Sequence, residues 1–395
     1  MERDAFRNAT ADLNLSVEAA EHWRVRAQNR LALGDVEFDN YGGDDGDDPN
    51  AVTRFQQNVH GLDVRGELID GLWSPELSLG FSRQERDVDN DADPDHPADL
   101  TYSEFLGRQF QARLTNRLDL GPVGLAAVGV DYVEEWGSSH DYRRYEYFDF
   151  FSMSMVQATD RTRFDAASAH TVGVFLEDTF RIGHFRASVG GRYDVHDQYG
   201  GHATYRVTHA FLIEPTQTDV RMVLVSSYHA PSLYQRYSAY GNEDLEVETA
   251  TTRELGLVQP LLADSLRAEV SVFQTDYANQ VAFVTDPVTW VSRYTNRDQV
   301  KTSGVEATVA YAPVDWAQVE LNYTKLTAID VTDENAAGTV PLLRRADYQF
   351  GAQARASVGG ATVSLDVLRV GPRWDADFDP VTFAPAPGRP SHIEL

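Results

Sequence analysis

Two runs of this chain crowd carboxylates together between otherwise apolar stretches. Phe38–Asn50 (FDNYGGDDGDDPN) holds Asp39, Asp44, Asp45, Asp47 and Asp48, and Asp87–Leu100 (DVDNDADPDHPADL) holds Asp87, Asp89, Asp91, Asp93, Asp95 and Asp99. Carboxylates are hard oxygen donors, and a cation such as Ca²⁺ gathers about six to eight oxygens from side chains, carbonyls and water. Neither run follows the EF-hand loop pattern, so a cation site here would be assembled between the two loops, one hairpin apart. The plainer reading leaves both as solvated tips that repel each other. Aromatic residues make a second cluster. Asp141–Phe151 (DYRRYEYFDFF) carries Tyr142, Tyr145 and Tyr147 around Arg143 and Arg144, and Tyr228–Tyr240 carries Tyr234, Tyr237 and Tyr240. Flat rings with a hydroxyl at one edge suit a large ligand, or else a girdle at the headgroup level of a bilayer. Arg143 and Arg144 would meet anionic ligand groups or lipopolysaccharide phosphates, or remain solvated. Catalytic signatures are missing: no GxSxG, HExxH, Walker or Rossmann glycine pattern occurs. The 11 histidines are scattered and there is no cysteine, which removes disulfides and thiolate chemistry.

The elements that would position these clusters alternate with period two. In His22–Leu33, Trp23, Val25, Ala27 and Leu31 oppose Arg24, Arg26, Gln28 and Arg30. In Phe185–His196, Phe185, Ala187, Val189, Tyr193 and Val195 oppose Arg186, Ser188, Arg192, Asp194 and His196. Leu266–Val272, Val305–Tyr311, Val319–Tyr323 and Tyr348–Ala356 repeat the pattern. Alternation sustained over about ten residues predicts transmembrane β-strands, with the apolar face toward lipid. An arginine-bearing face is costly in the dry core of a sandwich but comfortable in a hydrated lumen. Tight connections (LGPVG at 120–124, IGHF at 182–185, 263–265, 313–316, 358–361) alternate with long ones (38–50, 87–100, 140–165, 230–248, 330–341), which predicts successive hairpins and roughly 16 strands. The inward arginines are expected to pair across the lumen with carboxylates such as Asp194 and Glu306.

Composition narrows the class further. A formal charge of −27 argues against nucleic-acid phosphates as a partner. No apolar run reaches the length of about 20 residues that one membrane helix needs. Lysine is scarce, while 18 Tyr, 19 Phe and 6 Trp suit a sheet with aromatic girdles. The N-terminal MERDAFRNATADLNLSV lacks the basic and apolar regions of a signal peptide.

Three segments carry a family resemblance: Tyr228–Leu257 (YHAPSLYQRYSAYGNEDLEVETATTRELGL), Thr295–Pro313 (TNRDQVKTSGVEATVAYAP) and Val340–Ala346 (VPLLRRA). In this order they resemble the barrel of TonB-dependent outer-membrane receptors, most closely the cobalamin-receptor type. The resemblance implies an all-β, antiparallel up-and-down transmembrane barrel across residues 1–395, part of a barrel of about 22 strands. A plug domain and a TonB-contacting box would stand upstream, and the ending SHIEL lacks an aromatic-terminated final strand. The alternative is a smaller closed barrel acting as a passive, porin-like channel. The implied role is uptake of a scarce metal chelate, a corrinoid ahead of a siderophore, in the outer membrane of a Gram-negative bacterium, with lipid, plug and TonB as partners. Tyr142, Arg143, Tyr145, Tyr147, Tyr234, Tyr237 and Tyr240 would contact the ligand, and no residue would be catalytic. By carry-over from the cobalamin receptor, Asp39 and Asp44 with Asp89, Asp91 and Asp99 would hold calcium. This chain departs from that receptor in lacking a Tyr-Asp pair in its second acidic loop.

Overall fold

The computed structural model describes residues 5–38, 50–94, 97–149, 151–286, 291–331 and 340–375, with the pairs 377–378, 385–386 and 390–391. The alternating segments are strands. In chain order they are β1 (Phe6–Ala20), β2 (Trp23–Glu37), β3 (Val52–Gly66), β4 (Trp73–Asn90), β5 (Leu100–Asp119), β6 (Leu125–Asp149), β7 (Ser154–Ile182), β8 (Phe185–His196) and β9 (Gly200–Ile213). Then follow β10 (Thr218–His229), the short helix α1 (Leu233–Tyr237), β11 (Glu248–Leu261), β12 (Leu266–Thr285), β13 (Ser292–Val314), β14 (Ala317–Asp330), β15 (Val340–Pro341), β16 (Tyr348–Val358) and β17 (Ala361–Val370). Sixteen of these strands have ten residues or more, and a tilted strand needs about 9 to 11 to cross a bilayer. No helix among the described residues is long and apolar enough to do so.

Each long strand pairs antiparallel with its neighbour in sequence, from β1–β2 through β16–β17, while β15 adds a two-residue ladder to β14. Hairpins impose this order, because a short turn can only join antiparallel neighbours. Among the described residues no ladder joins β17 to β1, so each keeps one unpaired edge. Short turns at 21–22, 67–72, 120–124, 183–184, 214–217, 262–265, 315–316 and 359–360 gather at one end, and the longer connections at the other. At 359–360 both residues are glycines with φ of 59° and 84°. A two-residue hairpin needs left-handed backbone there, and glycine adopts it without a steric cost.

The two faces of the sheet differ as lipid and water demand. Leu15, Val174, Leu255 and Leu365 stand on the outer face, each at least half exposed. Arg24, Arg186 and Arg192 share the opposite parity and lie on the inner face. Among the described residues there is no dry two-layer core, and the few buried apolar side chains are mostly small. The inner ion pairs run between adjacent or nearby strands and not across the lumen as expected: Arg24 meets Glu18 at 2.7 Å, Arg186 meets Asp219 at 2.9 Å, and Arg192 meets Asp131 at 2.5 Å. A lumen this wide separates opposite walls beyond the reach of an arginine. Arg192 also pairs with Asp194, while Glu306 lies between Ser271 and Thr324.

Two expected loops are strands in part. Pairing of β6 with β7 continues from Leu125–Thr179 to Asp149–Ser154, interrupted by one bulge near Ala166. Residues 140–165 are therefore mostly a projecting hairpin. Their Tyr, Phe, Thr and Arg side chains favour a pleated surface and pair across it, as where the Arg161 guanidinium lies 5.1 Å from the Tyr142 ring centre. Likewise β4 runs through Asn90, so Asp87 and Asp89 belong to a strand.

Candidate functional site

The connection 230–247 folds inward and forms a strap across the barrel mouth. Its helix α1 starts at Ser232, whose Oγ accepts from the Gln235 N–H at 3.2 Å while Gln235 Oε1 accepts from the Ser232 N–H at 2.8 Å. This reciprocal cap satisfies donors that so short a helix would leave open. Leu233 is buried against β6 and β7, near Gly137 and Phe164.

Tyr234 carries the span. Its ring lies 5.9 Å from Phe105 on β5 and 6.5 Å from Tyr294 on β13, strands on opposite sides of the mouth. Tyr240 and Tyr294 both pack on Phe283, at 5.4 Å and 5.2 Å, and Tyr237 lies 6.2 Å from Phe164. Hydrogen bonds from backbone and asparagine side chains fasten the far side. The Tyr294 N–H donates to the Tyr240 carbonyl at 3.0 Å, and Asn242 Nδ2 donates to the Tyr294 carbonyl at 3.1 Å. Asn296 accepts from the Glu246 N–H at 2.9 Å and donates to its carbonyl at 3.1 Å. On the near side Arg236 bonds Gln198 and sits 4.8 Å from the Tyr237 ring centre. Burial, followed by the nearby Asp141 carboxylate, pushes the Tyr234 phenol above its ordinary value. Both effects disfavour its ionised form.

The predicted ligand-contact residues divide by parity. Arg143, Tyr145 and Tyr147 face the axis on the projecting part of β6, with the Tyr145 and Tyr147 rings 6.3 Å apart and Arg143 4.8 Å from the Tyr145 ring centre. Tyr142 has the parity of outward Val128 and Val130, and stacks with Tyr102 at 6.4 Å. The structure thus brings Tyr234, Tyr237 and Tyr240 together at the mouth, places Arg143, Tyr145 and Tyr147 above it, and turns Tyr142 away. Phe105, Phe164, Phe283 and Tyr294 complete the aromatic ring and were not foreseen, because they lie apart in sequence and meet the strap only through strand pairing and curvature. Asn296 stood inside a family-like segment, and that was the available signal.

Beneath the strap, Asp131, Glu135, Arg192, Asp194, His196 and Leu233 line a cavity of about 370 Å³. Arg192 grips Asp131 through both terminal nitrogens, at 2.5 Å and 2.7 Å, a bidentate geometry that compensates two buried carboxylates. A β-carbon at Gly173 would overlap this guanidinium, which explains the glycine.

Of the predicted calcium ligands, Asp39 and Asp44 lie outside the described residues. Asp89 pairs with Arg54, and Asp91 accepts from the Tyr102 hydroxyl; Asp99 lies just before β5. The carboxylates that do converge are Glu85, Asp87 and Glu104, on the outer side of β4 and β5, with oxygens within 4.8 Å of one another. Sequence spacing did not single them out, since Glu104 reaches the others only through strand register.

Residues 5–391 match the family described as TonB dependent receptor-like, beta-barrel. Over 200 residues, 45% of this chain and 30% of the relative, the sequence is 28% identical to the iron-regulated outer membrane virulence protein of Vibrio cholerae serotype O1. The fold is similar to the copper transporter OprC (TM-score 0.74, 14% identity, 93% of this chain and 59% of that one). It is also similar to the ferric citrate transporter FecA in its unliganded form (TM-score 0.71, 16% identity, 98% and 62%). The chain spans about three fifths of the length of these structures.

Proposed function

The chain belongs to the TonB-dependent receptor-like β-barrel family of the Gram-negative outer membrane, and from that membership we propose that it is the capturing wall of a receptor for a ferric chelate of the siderophore class. The observation that carries this reading is the ring of aromatic side chains which Tyr234 ties together across the mouth. Such a surface suits a rigid, flat-sided chelate, with tyrosine hydroxyls and the positive charge of Arg143 and Arg236 nearby for its anionic groups. The iron-linked names among the similar proteins support a reading with iron ahead of the corrinoid anticipated from the sequence. A passive pore fits less well, since the strap spans the opening such a pore would keep clear.

Titration calorimetry of the purified chain with ferric citrate, a ferric tris-catecholate and cyanocobalamin tests the proposal. A ferric chelate should bind, and Tyr234→Ala combined with Tyr294→Ala should weaken it by roughly tenfold, from about 0.5–1.5 kcal/mol per aromatic contact. Binding of cyanocobalamin alone would refute it. Coupled transport would further require a plug and an energised TonB partner. Cells making only these residues should therefore show no accumulation of ferric chelate, and accumulation would refute that dependence.

Calcium belongs to the same proposal. Asp89, Asp91 and Asp99, with Glu85, Asp87 and Glu104 below them, offer only oxygen donors, the set that a hard cation takes. Water would complete the coordination, and the charge neutralised there would steady the β4–β5 hairpin.

A further inference from the structure

The chain has only two lysines, Lys301 and Lys325. Both stand on the lipid-facing side of adjacent strands, at the end where the long connections lie. On β14 the outward run is Val319, Leu321 and Tyr323, and Lys325 follows, directly opposite outward Val305 of β13. On β13 the outward run is Tyr311, Val309 and Val305, and Lys301 lies two outward positions beyond, opposite Ile329 and Asp276. The same order recurs on β11, where Arg253 follows Leu257 and Leu255, and on β17, where Arg369 follows Val363, Leu365 and Val367. Each apolar run therefore gives way to a cation toward the outer end. Among the described residues of this face on β11–β17, Asp276 is the one carboxylate, and Arg253 bonds it at 2.7 Å. The corresponding level of β4–β6 carries both signs, with Glu85, Asp87, Glu104 and Glu134 facing outward beside Arg83 and Arg108, and Arg83 meeting Glu85 at 2.7 Å.

We propose that the outward rim of β11–β17 binds the phosphate groups of the glycolipid that forms the outer leaflet. The inference rests on the outer-membrane location and is independent of the ligand reading. Long cationic side chains at the edge of an apolar band lay their stems along it and lift the charge to headgroup level. A protein of formal charge −27 is repelled as a whole by an anionic surface, so attraction must come from a local cationic patch within about a Debye length of the phosphates. On β11–β17 the outward cations outnumber the carboxylates, which would seat phosphate-bearing lipid there, whereas the carboxylates of β4–β6 offset their neighbouring arginines.

The full chain in detergent micelles would be titrated with phosphorylated lipid A, dephosphorylated lipid A and phosphatidylglycerol, with bound lipid counted by native mass spectrometry. Lys301→Gln with Lys325→Gln should lower affinity for phosphorylated lipid A by roughly tenfold to thirtyfold, from the usual attraction of two lysines to an anionic surface. Arg355→Gln, which removes one cation from the inner face of β16, should leave it unaltered. The unmodified chain should bind dephosphorylated lipid A about as weakly as the double variant binds the phosphorylated form. Equal affinity of the unmodified chain for both forms, or an equal loss in Arg355→Gln, would overturn the proposal. Phosphatidylglycerol binding as tightly as phosphorylated lipid A would overturn the assignment to glycolipid.

Discussion

Replacing Leu233 with alanine should release the strap while leaving the barrel wall intact. Leu233 is 8% exposed and is the buried side chain of α1, seated beside Gly137 and Phe164. Leucine-to-alanine changes at buried sites cost about 2–5 kcal/mol. The seat borders a hydrated lumen into which water can follow, so the lower part of that range applies, about 2–3 kcal/mol. The cost falls on a local opening, because the strap is fastened separately, through Tyr240, Asn242 and Glu246, to β13. When cleavage is slow relative to reclosing, its rate follows the population of the open form. Tryptic cleavage after Arg236 should then rise by roughly 30- to 150-fold, read by mass spectrometry of timed digests. The unfolding temperature of the sheet should barely change. An unchanged rate at Arg236 would refute the placement of Leu233 as the strap's anchor. A fall in sheet stability by the full amount, with no local effect, would show that Leu233 supports the wall instead.

Arg192→Ala leaves the buried Asp131 and Asp194 without their shared partner and should lower stability by about 3 kcal/mol, measured by thermal unfolding in detergent; an unchanged transition would refute the compensation. Gly173→Ala pushes the same guanidinium aside, so it should destabilise by a similar amount and add little to Arg192→Ala, whereas simple additivity would count against a shared cause. Because burial raises the Tyr234 phenol, the stability that its neutral form contributes is complete below its ordinary value of 10.0 and is lost as pH rises through the higher folded value. The tyrosinate absorbance difference between the unmodified chain and Tyr234→Phe should accordingly develop above pH 10.0, and its completion below that pH would refute the burial. Millimolar calcium should raise the unfolding temperature, and Asp89→Ala with Asp91→Ala should abolish the rise; no rise in the unmodified chain would remove calcium from the proposal.

Much of this architecture was legible in the residue order. Alternation such as Trp23, Val25 and Ala27 against Arg24, Arg26 and Gln28 marks a strand with one oily and one wet side, because side chains on a pleated strand point to opposite faces. Short Gly- and Pro-bearing turns between such runs leave only antiparallel neighbours, so the up-and-down order and the sixteen long strands followed from local chemistry. The family could be read too, since its segments are continuous in sequence.

Tertiary structure decided what depends on register and on distance around the wall. The projecting β6–β7 hairpin turned polar, aromatic sequence into paired strand, because a partner was available opposite it, and its parity separated Tyr142 from Tyr145 and Tyr147. Arg192 found Asp131, 61 positions away, on a nearby strand and not across the lumen, because side-chain reach is short compared with the width of the tube. The mouth itself, with Tyr234 touching both Phe105 and Tyr294, exists only after the sheet has curved far enough to bring β5 and β13 to opposite sides of a strap one side chain can bridge. Local sequence specifies the face on which each residue lies; the curvature summed over many strands determines which residues on that face meet.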